Sequence, residues 1–163
     1  MLMKKISIIF FIGAICALML ACNTGNSLGG YYTYETECLG TELDGSYTLR
    51  AWGVGRSQTD AMEQARKNAV KDVIFKGITK GKGDCSVKPI LTEVNAYDRY
   101  RDYFNKFFAD KGPYDKFVNY KDKRAGTSLR QRTGAEIKYG VIVRVKHAEI
   151  KEKLLNDNIL KSY

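Results

Sequence analysis

The sequence lacks a hydrophobic run long enough to cross a membrane as a helix. Its long apolar stretch, Ile6 to Leu20, has fifteen residues. As a helix these would extend about 22 Å, against a hydrocarbon core of about 30 Å. Two lysines precede the run, and the small, uncharged residues of CNTGNSLGG follow it. This combination is typical of a secretory signal peptide.

The sequence is also poor in the side chains that build metal and catalytic sites. It has one histidine, His147, and no Cys-x-x-Cys spacing, so we expect no zinc site. A cysteine or serine nucleophile needs a base beside it, and no residue pattern offers one. Acidic residues such as Glu93, Asp98 and Asp102 are scattered among lysines and arginines. We therefore predict a non-enzymatic chain without cofactor or metal, with His147 at a helix start or on the surface.

The residues before Cys22 predict a lipid anchor. Leu18, Leu20 and Ala21 resemble the lipobox of bacterial lipoproteins, in which the following cysteine receives a diacylglycerol. The resemblance implies a signal peptide at residues 1–21, a flexible tether of small polar residues at 22–30 that begins with the acylated Cys22, and one domain at 31–163. An ordinary secreted protein and a retained single-span anchor are the alternatives. Asn23 favours the outer membrane by the lipoprotein sorting rule, so we expect a lipid-anchored domain that faces the periplasm.

Charge and cysteine content agree with an exported protein. Beyond Cys22 the chain carries 25 Lys and Arg against 18 Asp and Glu, a formal charge of +7. In a bacterial envelope this balance favours anionic lipid, lipopolysaccharide or an acidic partner over nucleic acid, and a solvated surface is the alternative. Cys38 and Cys85 are the pair that remains in an oxidising compartment. We expect a disulfide between them, and two buried free thiols are the alternative.

Residue patterns in the first half of the domain predict a hairpin followed by a helix. Asp44-Gly45 lies between two strand-like runs, and this dipeptide is typical of a type I′ turn. A helix is predicted to begin at Ser57, which forms a capping box with Asp60. Alanines four residues apart line one face of this helix and allow close packing on a sheet; they are Ala61, Ala65 and Ala69.

A second helix is predicted from about Leu91 to Ala109, and its aromatic content is high. Core packing explains part of this content. Because tyrosine and arginine are favoured at protein interfaces, the alternative is that part of the helix is a docking surface for an envelope protein. The candidate partner-binding residues are Tyr97, Tyr100, Tyr103 and Phe107.

Two strands are predicted near the end of the chain, Phe117 to Lys123 and Gly134 to Lys146, followed by a helix from about Ala148 to Leu160. The segment between the strands predicts a long basic hairpin. It is either a charged edge that discourages strand pairing or a site for anionic lipid or glycan. The candidate anion-binding residues are Lys121, Lys123, Arg124, Arg130 and Arg132. The whole order predicts an α+β domain, with helices on one face of an antiparallel sheet of three to four strands.

The stretch LRAWGVGRSQTDAMEQARKNAV resembles the small twenty-kilodalton outer-membrane lipoprotein family, and is also similar to the amino-terminal domain of the flagellar outer-ring protein FlgT. The matching positions are Ala51, Gly53, Gly55, Ser57, Ala61, Ala65, Arg66 and Ala69. The resemblance implies an α+β envelope domain without catalytic residues, which in some members is part of a larger assembly. It implies fold more than function.

The sequence GVGRSQ lies between a strand and a helix and invites comparison with a nucleotide-binding turn. Gln58 stands where the third glycine of that motif belongs, and the element order is not βαβ. We therefore interpret it as a tight turn. The function predicted from the sequence is a non-catalytic, lipid-anchored envelope protein that acts as an accessory or assembly subunit. The alternative is a binding module for anionic envelope lipid or glycan.

Overall fold

The computed structural model describes residues 34–83, 85–122, 130–133 and 136–161. The predicted signal peptide, the tether and Cys22 lie outside these residues. The described part of the chain contains five strands and four α-helices. In chain order they are β1 (Glu37–Thr41), β2 (Tyr47–Gly55), α1 (Gln58–Lys71), α2 (Ala96–Arg99), α3 (Arg101–Phe107), β3 (Val118–Asp122), β4 (Arg130–Thr133), β5 (Glu136–Val145) and α4 (His147–Asn156). A π-helical turn, Asp72–Lys76, extends α1, and a 3-10 helix, Pro113–Phe117, precedes β3.

The strands form one antiparallel sheet in the order β1-β2-β5-β3. Its central pair is β2 and β5, which are in register from Tyr47 opposite Val145 to Gly55 opposite Ile137. On the other edge of β5, β3 pairs with the carboxyl-terminal half and β4 with the amino-terminal half, so the two short strands lie end to end. The predicted α+β class is confirmed, and the basic segment contributes one strand more than the sequence pattern indicated.

The sheet has a helix-covered face and an open face. The side chains of β5 alternate between the two faces, and Tyr139, Val141, Val143 and Val145 are buried. Residues of β2 that follow the same alternation, Leu49 and Ala51, are also fully buried. The side chains between these positions form the open face and include Arg50, Trp52, Lys138, Ile142 and Arg144, all only partly buried.

The glycines of the GVG turn allow α1 to lie unusually close to β2. A Cβ at Gly53 would come within 3.0 Å of backbone atoms of Ala61 and Ala65. Both alanines are fully buried. The predicted cap is also present, because the Asp60 amide donates to Ser57 Oγ (3.1 Å) and the Ser57 amide donates to the Asp60 carboxylate (3.2 Å). The motif that carries the family resemblance is therefore a close contact between helix and sheet.

The hairpin between β1 and β2 is present, but its turn is not the predicted type I′. That turn needs positive φ at both central residues. Of Asp44 and Gly45, only Gly45 has a positive φ, of 75°. The Gly45 amide donates to the Glu42 carbonyl (3.0 Å), and the Glu42 amide donates to the Ser46 carbonyl (2.8 Å). A three-residue loop that ends in a left-handed glycine therefore joins the strands.

The single helix predicted from Leu91 to Ala109 is wrong. Residues before Asn95 are not helical, and Tyr100 separates α2 from α3 with φ −110° and ψ 34°. The π-helical turn explains the change, because the Val73 and Ile74 carbonyls accept hydrogen bonds from the Ile90 and Leu91 amides (3.1 and 2.8 Å). The start of the predicted helix is thus held as an extended segment against the end of α1.

The disulfide between Cys38 and Cys85 is present, with 5.6 Å between the Cα atoms. It fixes a loop against the outer edge of β1. In that loop the Ile78 and Val87 backbones exchange two hydrogen bonds of 2.8 Å. The Cys38 amide donates to the Lys80 carbonyl (2.8 Å), and the Lys82 amide donates to the Cys38 carbonyl (2.9 Å). One edge of the sheet is therefore covered and covalently held.

Candidate interaction surfaces

The aromatic segment contributes mainly to the hydrophobic core. Phe107 is 2% exposed and Phe104 is fully buried, so the prediction of Phe107 as a partner-binding residue is wrong in this fold. The physical reason lies outside the segment. Phe75 of the π-helical turn contacts the Phe104 ring at a centroid distance of 4.7 Å, and Phe117 stacks on Phe107 at 6.0 Å. The buried face of the segment therefore packs against rings from two other parts of the chain.

Tyr103 is half-buried and supports the last helix. Its ring contacts Phe104 and Phe107 at 5.1 and 5.9 Å, and its hydroxyl donates to the Asp157 carboxylate (2.5 Å). Burial, together with the nearby carboxylate, raises the pKa of Tyr103 well above its usual value. Lys153 and Tyr103 lower the pKa of Asp157. Tyr103 therefore joins α3 to the end of α4.

An exposed valine lies at the start of the same segment. Val94 is 82% exposed, and Asn95 after it has a left-handed backbone with φ 61°. Two grooves flank this position, one of about 500 Å³ that includes Tyr97 and one of about 270 Å³ that includes Tyr100 and the chain near Ile159. We call the residues Val94, Tyr97 and Tyr100 the Val94 surface. Sequence patterns missed Val94 because they placed it inside a helix.

Charged pairs border the Val94 surface. Glu93 forms an ion pair with Arg99, and Asp98 forms one with Arg101 at 2.7 Å. The Tyr97 hydroxyl donates to the Asn105 side chain (3.1 Å), and its ring contacts Phe75 at 5.5 Å. An apolar and aromatic centre with a charged rim has the composition of a protein–protein interface.

The net charge of the chain is concentrated in one segment. Residues 116–146, which contain β3, β4 and β5, carry nine Lys and Arg against two Asp and Glu. Elsewhere after Cys22 the chain carries sixteen of each sign. The whole excess of +7 therefore belongs to the segment that contains β3, β4 and the central strand β5.

The structure gives different surroundings to the five predicted anion-binding residues. Lys121 is exposed, and its ammonium contacts the Glu42 carboxylate and Thr48 Oγ1 (3.2 Å to the hydroxyl). It is therefore partly neutralised by the β1–β2 turn. Arg130 and Arg132 lie in β4 opposite Tyr139 and Ile137, but their side chains fall outside the described part of the structure. Lys123 and Arg124 lie outside the described residues altogether.

The open face of the sheet combines a charged network with an aromatic contact. Arg144 donates to the Asp44 carboxylate (2.5 Å) and to Ser46 Oγ (2.6 Å). Hydrogen bonds from Arg144 and Ser46 lower the pKa of Asp44 far below its usual value. Trp52 contacts the Tyr34 ring at 4.8 Å, and the Lys138 ammonium lies 4.2 Å from that ring.

A charged groove of about 650 Å³ lies between α1 and the loop before β3. Two of its three basic residues, Arg66 and Lys67, already have partners. Arg66 donates to the Val118 carbonyl (2.9 Å) and forms ion pairs with Glu63 and Asp115. Lys67 contacts Asp110 at 2.6 Å. These contacts hold the chain before β3 against α1, so we assign the groove a structural role.

The surroundings of His147 are structural. It is the first residue of α4 and packs edge-on against Tyr47, with 5.6 Å between ring centroids. Burial lowers the pKa of His147, and Lys151 adds to this effect. Within the described residues, no group of three His, Cys, Asp or Glu side chains could hold a metal ion. No helix among those residues is long and apolar enough to span a membrane.

No family model, curated protein or solved structure matches the chain. The resemblance carried by Gly53, Gly55 and the alanines of α1 stays a prediction.

Proposed function

We propose that the protein is a non-catalytic, lipid-anchored envelope protein that acts as an accessory or assembly subunit, and that it binds a partner protein through the Val94 surface. The observation that carries the proposal is the exposure of Val94. This apolar side chain is 82% exposed between two grooves, although the Phe104 ring on which Tyr97 stacks is fully buried. An exposed apolar residue with half-buried tyrosines beside it marks a contact site more strongly than a scattered surface valine.

The anchor and the compartment belong to the same proposal. The apolar run and the lipobox-like residues before Cys22 support a bacterial lipoprotein of the outer membrane, with acyl chains on Cys22 and a domain in the periplasm. The disulfide between Cys38 and Cys85 supports an oxidising compartment.

The test is crosslinking in cells that make the full-length protein, followed by purification and mass spectrometry. Val94→Asp places a charge in the centre of the proposed contact. We expect recovery of the partner to fall about tenfold, the change for roughly 1.4 kcal/mol of lost binding free energy. The thermal midpoint should not change, because Val94 is exposed.

Leu43→Asp is the matched control. Leu43 is also fully exposed, but it lies at the tip of the β1–β2 turn away from both grooves. This variant should recover the partner as well as the natural protein does. Equal losses in both variants would contradict the assigned surface. If no protein is recovered at natural levels from intact envelopes, the assembly role itself fails.

A second function is supported by the concentration of charge in residues 116–146. It is a binding module for anionic envelope lipid or glycan at the edge formed by β3 and β4. Binding of the full chain to lipopolysaccharide should weaken steeply between about 0.05 M and 0.5 M salt, because the Debye length shortens over this range. The double variant Arg130→Gln, Arg132→Gln should weaken it, whereas Arg99→Gln, Arg101→Gln should not. Salt-independent binding would remove this function.

A further inference from the structure

The described chain begins on the open face of the sheet. Tyr34 is the first described residue, and its ring lies 4.8 Å from that of Trp52. The Lys138 ammonium of the neighbouring strand lies over the same ring at 4.2 Å. The polypeptide that leads back to Cys22 therefore joins the domain at the end of the open face that holds Trp52 and Lys138.

The covalent length between Cys22 and this point is short. Twelve residue steps separate Cys22 from Tyr34, and they span at most about 42 Å even when fully extended. A domain of this size is about 36 Å across. If acyl chains hold Cys22 in a membrane, the side of the domain that carries Tyr34 is kept near the lipid surface. The opposite, helix-covered side is reached only by a nearly extended connection.

The open face carries aromatic rings and charged side chains of both signs beside the point where the tether joins. Its cations are Arg50, Lys121, Lys138 and Arg144, and its carboxylates are Glu37, Glu42, Asp44 and the exposed Glu136, which shares the face of Lys138 on β5. Lys80 adds a further cation at Glu37. Lys121, Lys138 and Arg144 belong to the basic segment 116–146, which holds the net positive charge of the domain. Tryptophan and tyrosine beside basic residues are favoured at the membrane–water interface.

We propose that the open face of the sheet rests on the anionic headgroup layer of the membrane that holds the lipid anchor, with Trp52 and Lys138 at the contact. The inference rests on the lipid anchor of the proposed function. Each basic residue near an anionic surface contributes modestly, but the tether supplies a high local concentration of headgroups. Tyr97 of the Val94 surface lies beside Lys71 of α1, on the helix-covered side, so the same orientation leaves this surface open to a partner.

Trp52 is the only tryptophan in the chain, so its fluorescence reports on the open face alone. The experiment uses the lipidated protein reconstituted in phosphatidylcholine vesicles with or without phosphatidylglycerol. A small fraction of the lipid carries a nitroxide quencher on its headgroup. Flotation of the vesicles measures anchoring, and quenching of Trp52 measures contact of the open face.

We expect flotation in both kinds of vesicle and strong quenching only where phosphatidylglycerol is present, lost at high salt. Lys138→Gln should lower the ratio of bound to released domain about fivefold, the effect of one basic charge at such a surface. Lys106→Gln is the matched control, because Lys106 is an exposed lysine on α3, and it should leave quenching unchanged.

The outcomes distinguish failure of the headgroup contact from failure of the lipid anchor. Loss of flotation would overturn the lipid anchor and the inference together. Flotation without quenching would overturn the inference alone and leave the open face for a protein partner or a second copy of the chain. Quenching that is equal in neutral vesicles, or equal in the Lys138 and Lys106 variants, would also overturn it.

Discussion

On the helix-covered face of the sheet the side chains are small or aliphatic and fully buried, whereas on the open face they are long, charged and partly exposed. Gly53 and Ala51 represent the first face, and Arg50 and Trp52, their neighbours along β2, represent the second. One strand therefore serves two purposes. On the covered face, stability depends on close packing of the side chains against α1. On the open face, a change of charge costs little stability, so the charges there can determine which partner or surface binds.

The largest expected effect comes from the aromatic core on the covered side. Phe104→Ala should lower the free energy of unfolding by about 4 kcal/mol. Phe104 is fully buried among aromatic rings, so its removal leaves a cavity. Urea denaturation measures the change. Lys106→Ala on the same helix is the control, and we expect a change within about 0.5 kcal/mol. Similar costs for both would mean that α3 is not packed as described.

A smaller but still large effect is expected at the contact between β2 and α1. Gly53→Ala should cost about 3 kcal/mol, since the added methyl would meet backbone atoms of α1 that cannot move independently. Gly40→Ala is the matched control, because no atom lies within 4 Å of a Cβ there. Thermal unfolding of both variants would test the comparison, and equal midpoints would refute the close approach.

A moderate effect is expected from pH at the covered side. The folded pKa of His147 is lowered from its ordinary value of 6.5, so the unfolded state binds this proton more readily. Stability should therefore fall as the pH drops through 6.5, by under about 1 kcal/mol between pH 7 and about pH 5.5. His147→Gln should flatten this part of the profile. A profile that does not differ between the two proteins would contradict the burial of His147.

The smallest expected effect is on the open face. Arg50→Gln removes a half-exposed ion pair with Glu37 and should cost about 0.5 kcal/mol. The cost should disappear at about 1 M salt, where the Debye length is near 3 Å. A cost above that of Gly53→Ala, or one that salt does not change, would reverse the comparison between the two faces.

Local patterns predicted the elements whose signals are local. The capping box at Ser57 and Asp60 and the strand that contains β5 could be predicted, because cap and pleat depend on residues a few positions apart. Together with the alanine face of α1, they fixed the α+β class. The disulfide was predicted from the expected oxidising compartment and from the two cysteines that remain after Cys22. The structure confirms it.

Tertiary contacts decided the parts that local patterns could not predict. The helix from Leu91 was prevented by carbonyls of a π-helical turn almost twenty residues earlier. Phe117 stacks on Phe107 and helps to bury it, but the two residues lie in different elements, so helical periodicity does not predict the contact. The exposure of Val94 and Trp52 depends on which other parts of the chain pack over them. Local sequence patterns do not predict this. The turn type differed because Asp44 did not adopt the left-handed backbone.

The pairing of β2 with β5 also joins distant parts of the chain. Tyr47 and Val145, which face each other at one end of this central pair, are 98 positions apart in the chain. Such long-range pairing costs loop entropy early and is slow to form. Before β5 has been synthesised, the first strands form only a hairpin, which is marginally stable alone. A chain that ends before residue 136 therefore lacks the central strand with which β2, β3 and β4 all pair.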